Sequence, residues 1–294
     1  MNIQWYPGHM TKTRRQIEAD LKNVDIVVEI MDARIPVSSR NPDIDSICAG
    51  KPRLIVLNRA DQADPELNRK WAERFRTQGH SVLETDAKTG RGVNQFSALI
   101  QQSLKDQIAR WREKGQVGRP VRAMVVGVPN VGKSTFINKV ARKKSAKAGD
   151  RPGVTRGKQW VNVDNTLDLL DTPGILWPKF EDETIGLHLA FTGAVRDAIM
   201  DVETLACHLI QLLAQRKPES LAARFKLVPE EGMDGWALLE AGARKRGFLI
   251  SGGEVDLERM AHILLDEFRG GKMGRITLEL PEDLERGADP SGVP

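Results

Sequence analysis

Continuous apolar runs alternate with amphipathic stretches along the first half of the chain. The apolar runs suit strands buried on both faces of a sheet, and the amphipathic stretches suit helices that cover the sheet. Asp64 followed by Pro65 marks one helix start, as an N-cap and a first helical residue. The pattern predicts strands at 25–31, 53–57 and 81–85 and helices at 11–22, 65–78 and 93–113. This alternation predicts a parallel α/β sheet.

The pattern resumes after a linker at 115–120 and later changes. It predicts a strand at 121–126, a helix at 132–142, a polar, basic and mobile loop at 143–157, and a hairpin of strands 158–164 and 167–170. From about residue 184 only helical spacing remains, and it predicts helices at 185–199, 201–215, 218–225, 235–246 and 256–268. We therefore expect an α/β domain over residues 1–178 and an all-helical domain over residues 179–294.

Composition narrows the class of protein. The 294-residue chain is 40% hydrophobic and 29% charged, as is usual for a globular protein, and its two cysteines, Cys48 and Cys207, stand in no motif. No apolar run has the length of a membrane-spanning helix, and the first residues lack the apolar core of a secretory signal. We therefore expect a cytoplasmic protein with no membrane partner.

Residues 127–134, GVPNVGKS, match the pattern G-x-x-x-x-G-K-[ST] between a predicted strand and a predicted helix. Glycines in such a loop let backbone N–H groups turn toward phosphate oxygens at the helix N-terminus. Lys133 would reach the β- and γ-phosphates, and Ser134 would bind Mg²⁺. The sequence therefore predicts a site for a nucleoside triphosphate.

A second motif, Asp171-Thr172-Pro173-Gly174, follows a predicted strand and matches D-x-x-G. Asp171 would hold the Mg²⁺ shell, and the Gly174 amide would meet the γ-phosphate, as in switch II of GTPases. Thr155 lies between the two motifs and is the candidate switch I threonine for Mg²⁺ and the γ-phosphate. The alternative is an ordinary loop threonine.

A base-reading motif, Asn58-Arg59-Ala60-Asp61, ends a predicted strand, at the edge where open α/β sheets bind ligands. Asp61 can accept both guanine N–H bonds, a donor pair that adenine lacks. The usual pattern has lysine where Arg59 stands, although arginine can also pack flat on a base. Asp86-Ala87-Lys88 resembles the short S-A-K loop, with Asp86 in place of serine, and its Ala87 amide would contact guanine O6.

These motifs run in the order base reader, S-A-K-like loop, phosphate loop, switch I, switch II, whereas ordinary GTPases begin with the phosphate loop. With the segments WYPGHM at 5–10, DARIP at 32–36 and SRNP at 39–42, the order resembles the ribosome biogenesis GTPase A family of circularly permuted GTPases. The resemblance covers essentially the whole chain. It implies that GTP hydrolysis, stimulated by the ribosomal particle, serves late maturation of the large (50S) ribosomal subunit.

The resemblance also implies a set of nucleotide contacts. We expect GTP or GDP, with Mg²⁺, to contact Asn58, Arg59, Asp61, Asp86, Ala87, Lys88, Pro129, Asn130, Val131, Gly132, Lys133, Ser134, Thr135, Thr155, Asp171 and Gly174. In several GTPases of this type an asparagine in the phosphate loop binds K⁺, so Asn130 is a candidate K⁺ ligand. The alternative role for Asn130 is hydrogen bonding within the loop.

Hydrolysis needs a group that orients the attacking water, and Ile175 stands where many GTPases carry a glutamine for that purpose. The permutation places the segment before helix 11–22 where the far end of switch II would otherwise lie. We therefore hypothesise that His9 orients the water, beside Lys133 and Thr155 as the other catalytic residues. The alternative for His9 is a role in binding or packing.

Basic residues dominate the charge, which is +4 overall, and they form groups at 12–15, 142–158, 244–246 and 269–275. A solvated face explains any one group, but four groups in a phosphate-binding protein favour an RNA partner. We expect a monomer that binds pre-50S particles and their rRNA, but no DNA. The alternatives are a non-catalytic RNA-binding scaffold stabilised by nucleotide, and a GTPase that acts on tRNA or a membrane.

Overall fold

The computed structural model describes residues 9–142, 159–177, 180, 182–197 and 200–282. Within these ranges the chain groups into two compact units. The sheet unit contains the described residues from 9 to 177 together with 279–282, and the helical unit contains those from 180 to 278. The sequence pattern predicts one domain over residues 179–294, and residues 279–282 of that span group with the sheet unit.

The sheet unit is built on six strands in the order β3-β2-β1-β4-β6-β5. Its strands are β1 (Ile26–Asp32), β2 (Arg53–Asn58), β3 (Ser81–Glu84), β4 (Val121–Val126), β5 (Gln159–Asp164) and β6 (Leu167–Asp171). All neighbours are parallel except β5 and β6, which form the predicted hairpin. The predicted α/β class with a helical C-terminal part is confirmed.

Six helices accompany the strands in the described part of the sheet unit. They are α1 (His9–Asp20), α2 (Asp43–Ile47), α3 (Pro65–Thr77), α4 (Phe96–Ser103), α5 (Lys105–Glu113) and α6 (Lys133–Arg142). The Asp64 side chain accepts hydrogen bonds from the amides of Glu66 and Leu67, so it caps α3 as predicted. Every residue of β1 is buried, as its apolar run predicted.

Two predicted helices differ from the structure. The helix expected over 93–113 is wrong as a single element, because the backbone leaves helical geometry at Leu104, where φ is −111° and ψ is 15°. The helix expected over 185–199 ends at Phe191, because Gly193 adopts a φ of 78°, which a right-handed helix cannot contain. Turn conformations of this kind carry no mark in the hydrophobic spacing.

The helical unit consists, in its described residues, of α7 (Glu183–Phe191), α8 (Val202–Arg216), α9 (Pro218–Phe225), α10 (Gly235–Arg246) and α11 (Leu257–Arg269). Aspartate side chains cap four of these helices, at positions 182, 201, 234 and 256. Arg269 joins the end of α11 to Asp197 through two bonds of 2.6 and 2.7 Å and also donates to the carbonyls of Ala190 and Phe191. None of the described helices has the length and apolar character needed to span a bilayer.

Candidate functional site

The carboxyl ends of the parallel strands collect the predicted motifs at one edge of the sheet. β1 ends at Asp32, β2 at Asn58 and β6 at Asp171, while β4 leads directly into the loop at 127–132. The chain builds outward from β1 to β3 and then resumes with β4 on the other side of β1. Ligands of open α/β sheets bind at such a reversal point, between the ends of β1 and β4.

The phosphate loop has the backbone of an anion-binding nest. Gly132 has a φ of 99°, and a Cβ added there would lie 2.5 Å from Nδ2 of Asn58. Asn130 also has a positive φ, 58°, which asparagine adopts more readily than most residues. Positive φ angles of this kind occur in anion-binding nests, and the loop leads into the N-terminus of α6, where an anion is favoured.

Lys133, the first residue of α6, folds back over this loop. Its ammonium donates to the carbonyl oxygens of Gly127 at 3.0 Å and Val128 at 2.8 Å. Burial lowers the pKa of Lys133 to about 8, although the nearby charge of Asp171 opposes that shift. The lysine is therefore mostly protonated near neutral pH and already lies within the loop that would hold phosphates.

The Asp171–Gly174 motif packs against the same loop. Ser134 Oγ donates to Asp171 Oδ2 across 3.4 Å, so two oxygen ligands lie side by side. A Cβ added at Gly174 would lie 2.7 Å from Pro129 Cα and 3.1 Å from the Lys133 ammonium nitrogen. Only a glycine allows this backbone approach, which brings the Gly174 peptide to the phosphate loop.

Asn58 joins three loops through one amide side chain. Its Nδ2 donates to the Val131 carbonyl at 2.9 Å, and its Oδ1 accepts from Thr85 Oγ1 at 3.2 Å and from the Ala87 amide at 3.1 Å. The base reader, the S-A-K-like loop and the phosphate loop are therefore fixed to one another. The Ala87 amide, which we predict to contact guanine O6, donates to Asn58 Oδ1 in this structure.

Arg59 contacts both the phosphate loop and the end of β1. Its guanidinium donates to the Asn130 carbonyl at 2.9 Å, and its Nε lies 3.7 Å from Oδ2 of Asp32. Asp32 in turn accepts from the backbone amide and guanidinium of the fully buried Arg34 at 2.7 to 3.0 Å. Burial would raise the pKa of Asp32, but Arg34 outweighs it, so the carboxyl stays ionised and its pKa lies below the ordinary value.

Asp86, which replaces the usual serine, shapes its own loop. It accepts from the amides of Lys88 at 2.9 Å and Thr89 at 3.2 Å and from the Thr89 hydroxyl. Burial would raise the pKa of Asp86, but these hydrogen bonds outweigh it and lower the pKa. The aspartate therefore closes the turn that carries Ala87, while Asp61 and Lys88 remain exposed beside it.

The structure does not describe every predicted site residue. Thr155 and the basic segment 143–158 lie outside the described residues. His9 is the first residue of α1, but its side chain lies outside the described part. The sequence motifs do not predict a site role for Asp32 or Arg34, although an acidic residue that ends a buried strand at the ligand edge is a signal for Asp32.

The oxygens of Ser134 and Asp171 fit the requirements of Mg²⁺. This ion takes one or two protein oxygens and completes its shell with waters and nucleotide phosphates. Within the described residues, no group of three or more histidines, cysteines or carboxylates forms a metal site by itself. The edge of the sheet therefore suits a metal that arrives with a phosphate ligand.

Comparisons with known proteins agree with this geometry. Residues 122–228 match the family model described as 50S ribosome-binding GTPase. Ribosome biogenesis GTPase A of Bacillus cereus is 46% identical, over 97% of this chain and 96% of that protein. The protein of the same name from Thermotoga maritima is 34% identical, over 96% of each chain.

Solved structures show the same similarity. A GDP-bound structure of TM YlqF matches with a TM-score of 0.67 and 30% identity, over 92% of this chain and 100% of that one. A crystal structure of GNP-bound YlqF from T. maritima matches with a TM-score of 0.63 and 31% identity, over 92% of this chain and 99% of that one. The GDP-bound and the GNP-bound YlqF structures therefore both have a fold similar to that of this chain.

Proposed function

This chain belongs to the ribosome biogenesis GTPase A family, and from that premise we propose that it acts at a late step in assembly of the large ribosomal subunit, binding pre-50S particles and their rRNA. It is a GTPase with a role in ribosome assembly, so the alternative of a non-catalytic scaffold is not retained. We propose in addition that it works as a monomer in the cytoplasm and that the particle stimulates hydrolysis.

The observation that carries the proposed site is the meeting of Asn58, Lys133 and Asp171 at one edge of the sheet. Asp61 would accept the guanine N–H groups, and Arg59 would hold the phosphate loop beside the base. Lys133 would neutralise the β- and γ-phosphates, and the Gly174 amide would donate to the γ-phosphate. Mg²⁺, held by Ser134, Thr155 and Asp171, would offset charge on the phosphate oxygens.

His9 is our candidate for orienting the hydrolytic water. Ile175 is 1% exposed and apolar, so the residue after D-x-x-G offers no polar group for this task. His9→Ala should leave GTP affinity nearly unchanged and abolish the stimulation of turnover by large subunits. His262→Ala, on the exposed side of α11, is the matched control. Full stimulation in His9→Ala would show that another group orients the water.

Asn130 is our candidate ligand for K⁺ in the phosphate loop. Its positive φ and its carbonyl bond to Arg59 equally suit the alternative, a residue that shapes the loop. A K⁺ site requires faster GTP hydrolysis in potassium than in sodium chloride at equal ionic strength, and loss of that difference in Asn130→Ala. Equal rates in the two salts would leave only the loop-shaping role.

Sedimentation with ribosomal particles tests the proposed place of action. We expect the protein to sediment with 50S but not 30S particles, and more strongly with a non-hydrolysable GTP analogue than with GDP. GTP turnover measured with and without 50S particles tests the stimulation separately. Binding to 30S particles, or equal binding in both nucleotide states, would refute this part of the proposal.

A further inference from the structure

The chain returns from the helical unit to the sheet unit at Glu279, whose side chain is buried there. The Glu279 carboxylate accepts from the Val37 amide at 2.6 Å, from the Ser38 amide at 3.1 Å and from the Ser38 hydroxyl. Only 4% of the residue is exposed. A buried carboxylate with this many donors is a fixed structural anchor, because removing it would leave those donors without an acceptor.

The backbone around Glu279 is held as firmly as its side chain. The Trp71 indole donates to the Glu279 carbonyl at 3.0 Å, and Arg74 donates to the Pro281 carbonyl at 3.2 Å. Trp71 is itself fully buried in the core between α3 and the strands. Residues 279–281 are therefore an integral part of the sheet unit, although they follow the helical unit in sequence.

Glu279 fixes the loop at 33–40, which leaves the end of β1 at the nucleotide edge. In that loop Ser39 Oγ accepts from the Asp32 amide at 3.0 Å and donates to the Ile35 carbonyl at 2.7 Å. The amides held by Glu279 belong to the two residues immediately before Ser39. We call the bonds from Val37 and Ser38 to the Glu279 carboxylate the Glu279 clamp. The clamp therefore restrains the loop that positions Asp32.

From Asp32 the contacts lead directly to the nucleotide site. Its carboxylate lies 3.7 Å from Nε of Arg59, and Arg59 donates to the Asn130 carbonyl in the phosphate loop. The contacts from Glu279 through loop 33–40 and Asp32 join buried or partly buried groups, and the last contact, from Arg59 to the Asn130 carbonyl, lies at the exposed edge of the site. Rearrangement at one end of this series changes the geometry available at the other.

We propose that Glu279 is a positioning residue for guanine nucleotide binding, acting through loop 33–40, Asp32 and Arg59. The inference rests on the nucleotide site proposed above. It makes the chain segment that follows the helical unit a determinant of nucleotide affinity. Because coupling between two sites is reciprocal, bound nucleotide must also stabilise the attachment of this segment.

The first test measures nucleotide affinity in the full chain. Glu279→Ala should weaken GDP and GTP binding by the same factor, about fivefold or more, and Glu279→Gln by less, because the amide oxygen can still accept from part of the clamp. Glu66→Gln, an exposed carboxylate of α3, is the matched control and should bind as the wild type does. Unchanged affinity in folded Glu279→Ala would overturn the proposal.

The second test separates positioning from general stability. If Glu279 acts through Arg59, the loss of affinity in Glu279→Ala should largely disappear when Arg59→Ala is already present. A purely structural role predicts that the two losses add. Additive losses would therefore overturn the proposed route even if each single variant binds weakly.

The third test uses the wild-type chain and does not depend on a variant that folds. GDP should slow hydrogen exchange at the amides of Val37 and Ser38, whereas peptides from α9 in the helical unit should be unaffected. Unchanged exchange at these amides would contradict the reciprocal coupling. Asp61→Asn distinguishes the two proposals: if it leaves GDP binding intact, the nucleotide site is wrong, whereas if it abolishes binding and Glu279→Ala does not weaken it, only the role of Glu279 is wrong.

Discussion

At the residue scale, polar groups of the proposed nucleotide site are hydrogen-bonded to the protein itself, and a bound nucleotide would replace some of these bonds. The Lys133 ammonium donates two hydrogen bonds to carbonyls of its own loop, and the Ala87 amide donates to Asn58. These bonds keep buried polar groups satisfied and hold them near where phosphate and base would bind. Binding then exchanges hydrogen bonds at groups that are already in place, which limits the cost of ordering the site.

The lowered pKa of Lys133 predicts proton uptake on GDP binding. Burial sets this pKa to about 8, and bound phosphates would raise it by favouring the charged form. Below about pH 8 the free protein already has a protonated lysine, so GDP binding takes up little or no proton. As the pH rises through about 8, GDP binding must be accompanied by proton uptake, and the affinity for GDP falls. Calorimetry in two buffers of different ionisation enthalpy should show uptake at about pH 9 and little at about pH 6.5. Equal uptake at both would exclude Lys133 as the source.

The close approach of Gly174 to the phosphate loop predicts that alanine is not tolerated there. The added Cβ would meet the Pro129 backbone at 2.7 and 2.8 Å, and backbone of a constrained loop cannot move aside as a side chain can. We expect Gly174→Ala to reduce GTP turnover by about tenfold or more. Gly242→Ala is the control, because its Cβ would meet side-chain atoms and no backbone, with the flexible end of Met260 at 2.8 Å and Leu227 Cδ2 at 3.8 Å. Wild-type turnover in Gly174→Ala would contradict the packing described here.

At the element scale, the sequence predicts what depends on local spacing and misses what depends on distant partners. The buried β1, the capped start of α3 and the strand–loop–helix around Lys133 each carry a local signal in residue type and order. The break at Leu104 lies inside an unbroken helical pattern, so no signal marks it. The Glu279 clamp joins residues 241 positions apart, and hydrophobic periodicity contains no information about that pairing.

Strand β1 also carries a buried ionisable side chain, Glu29, that its apolar pattern does not predict. Glu29 is 1% exposed, its carboxylate oxygens accept no hydrogen bond from the described residues, and its nearest cationic atom is Arg53 Nη2 at 3.3 Å. Burial raises the pKa of Glu29 to about 7, against the opposing charges of Arg53 and Arg40. Between about pH 4.5 and 7, Glu29 is therefore mostly protonated in the folded state and mostly ionised in the unfolded chain.

This pKa predicts that Glu29→Gln flattens the pH dependence of stability. Because the folded pKa is raised, the free energy of unfolding of the wild type falls as the pH rises from about 4.5 to 7, by at most on the order of 3 kcal/mol. Glutamine removes that loss, so the variant should gain on the wild type at about pH 8 relative to about pH 5. Urea unfolding at both pH values measures it, with Glu66→Gln as control. Parallel pH profiles would contradict the assignment.

At the scale of the whole molecule, the structure sorts the basic residues into two kinds. Arg224 and Arg269 form paired bonds to the carboxylates of Glu267 and Asp197 within the helical unit. Arg246 lies over the rings of Phe225 and Phe248 and donates to the Arg224 carbonyl. These three arginines already bind other groups of the protein and are poor candidates for RNA contacts, although they count toward the net charge of +4. The exposed basic residues of the helical unit are better candidates for phosphate contacts.

This distinction between exposed and internally bonded basic residues predicts different effects for two substitutions in the helical unit, one on RNA binding and one on stability. Lys245 is exposed, so Lys245→Ala should weaken binding to large-subunit rRNA, lower the slope of log affinity against log salt by about one and leave stability unchanged. Arg269→Ala should lower the melting temperature instead, because it removes the paired bond to Asp197 and two bonds to backbone carbonyls. Binding titrations at several KCl concentrations and thermal unfolding measure both. If Arg269→Ala lowered the salt slope without loss of stability, Arg269 would be a phosphate contact and the distinction proposed here would fail.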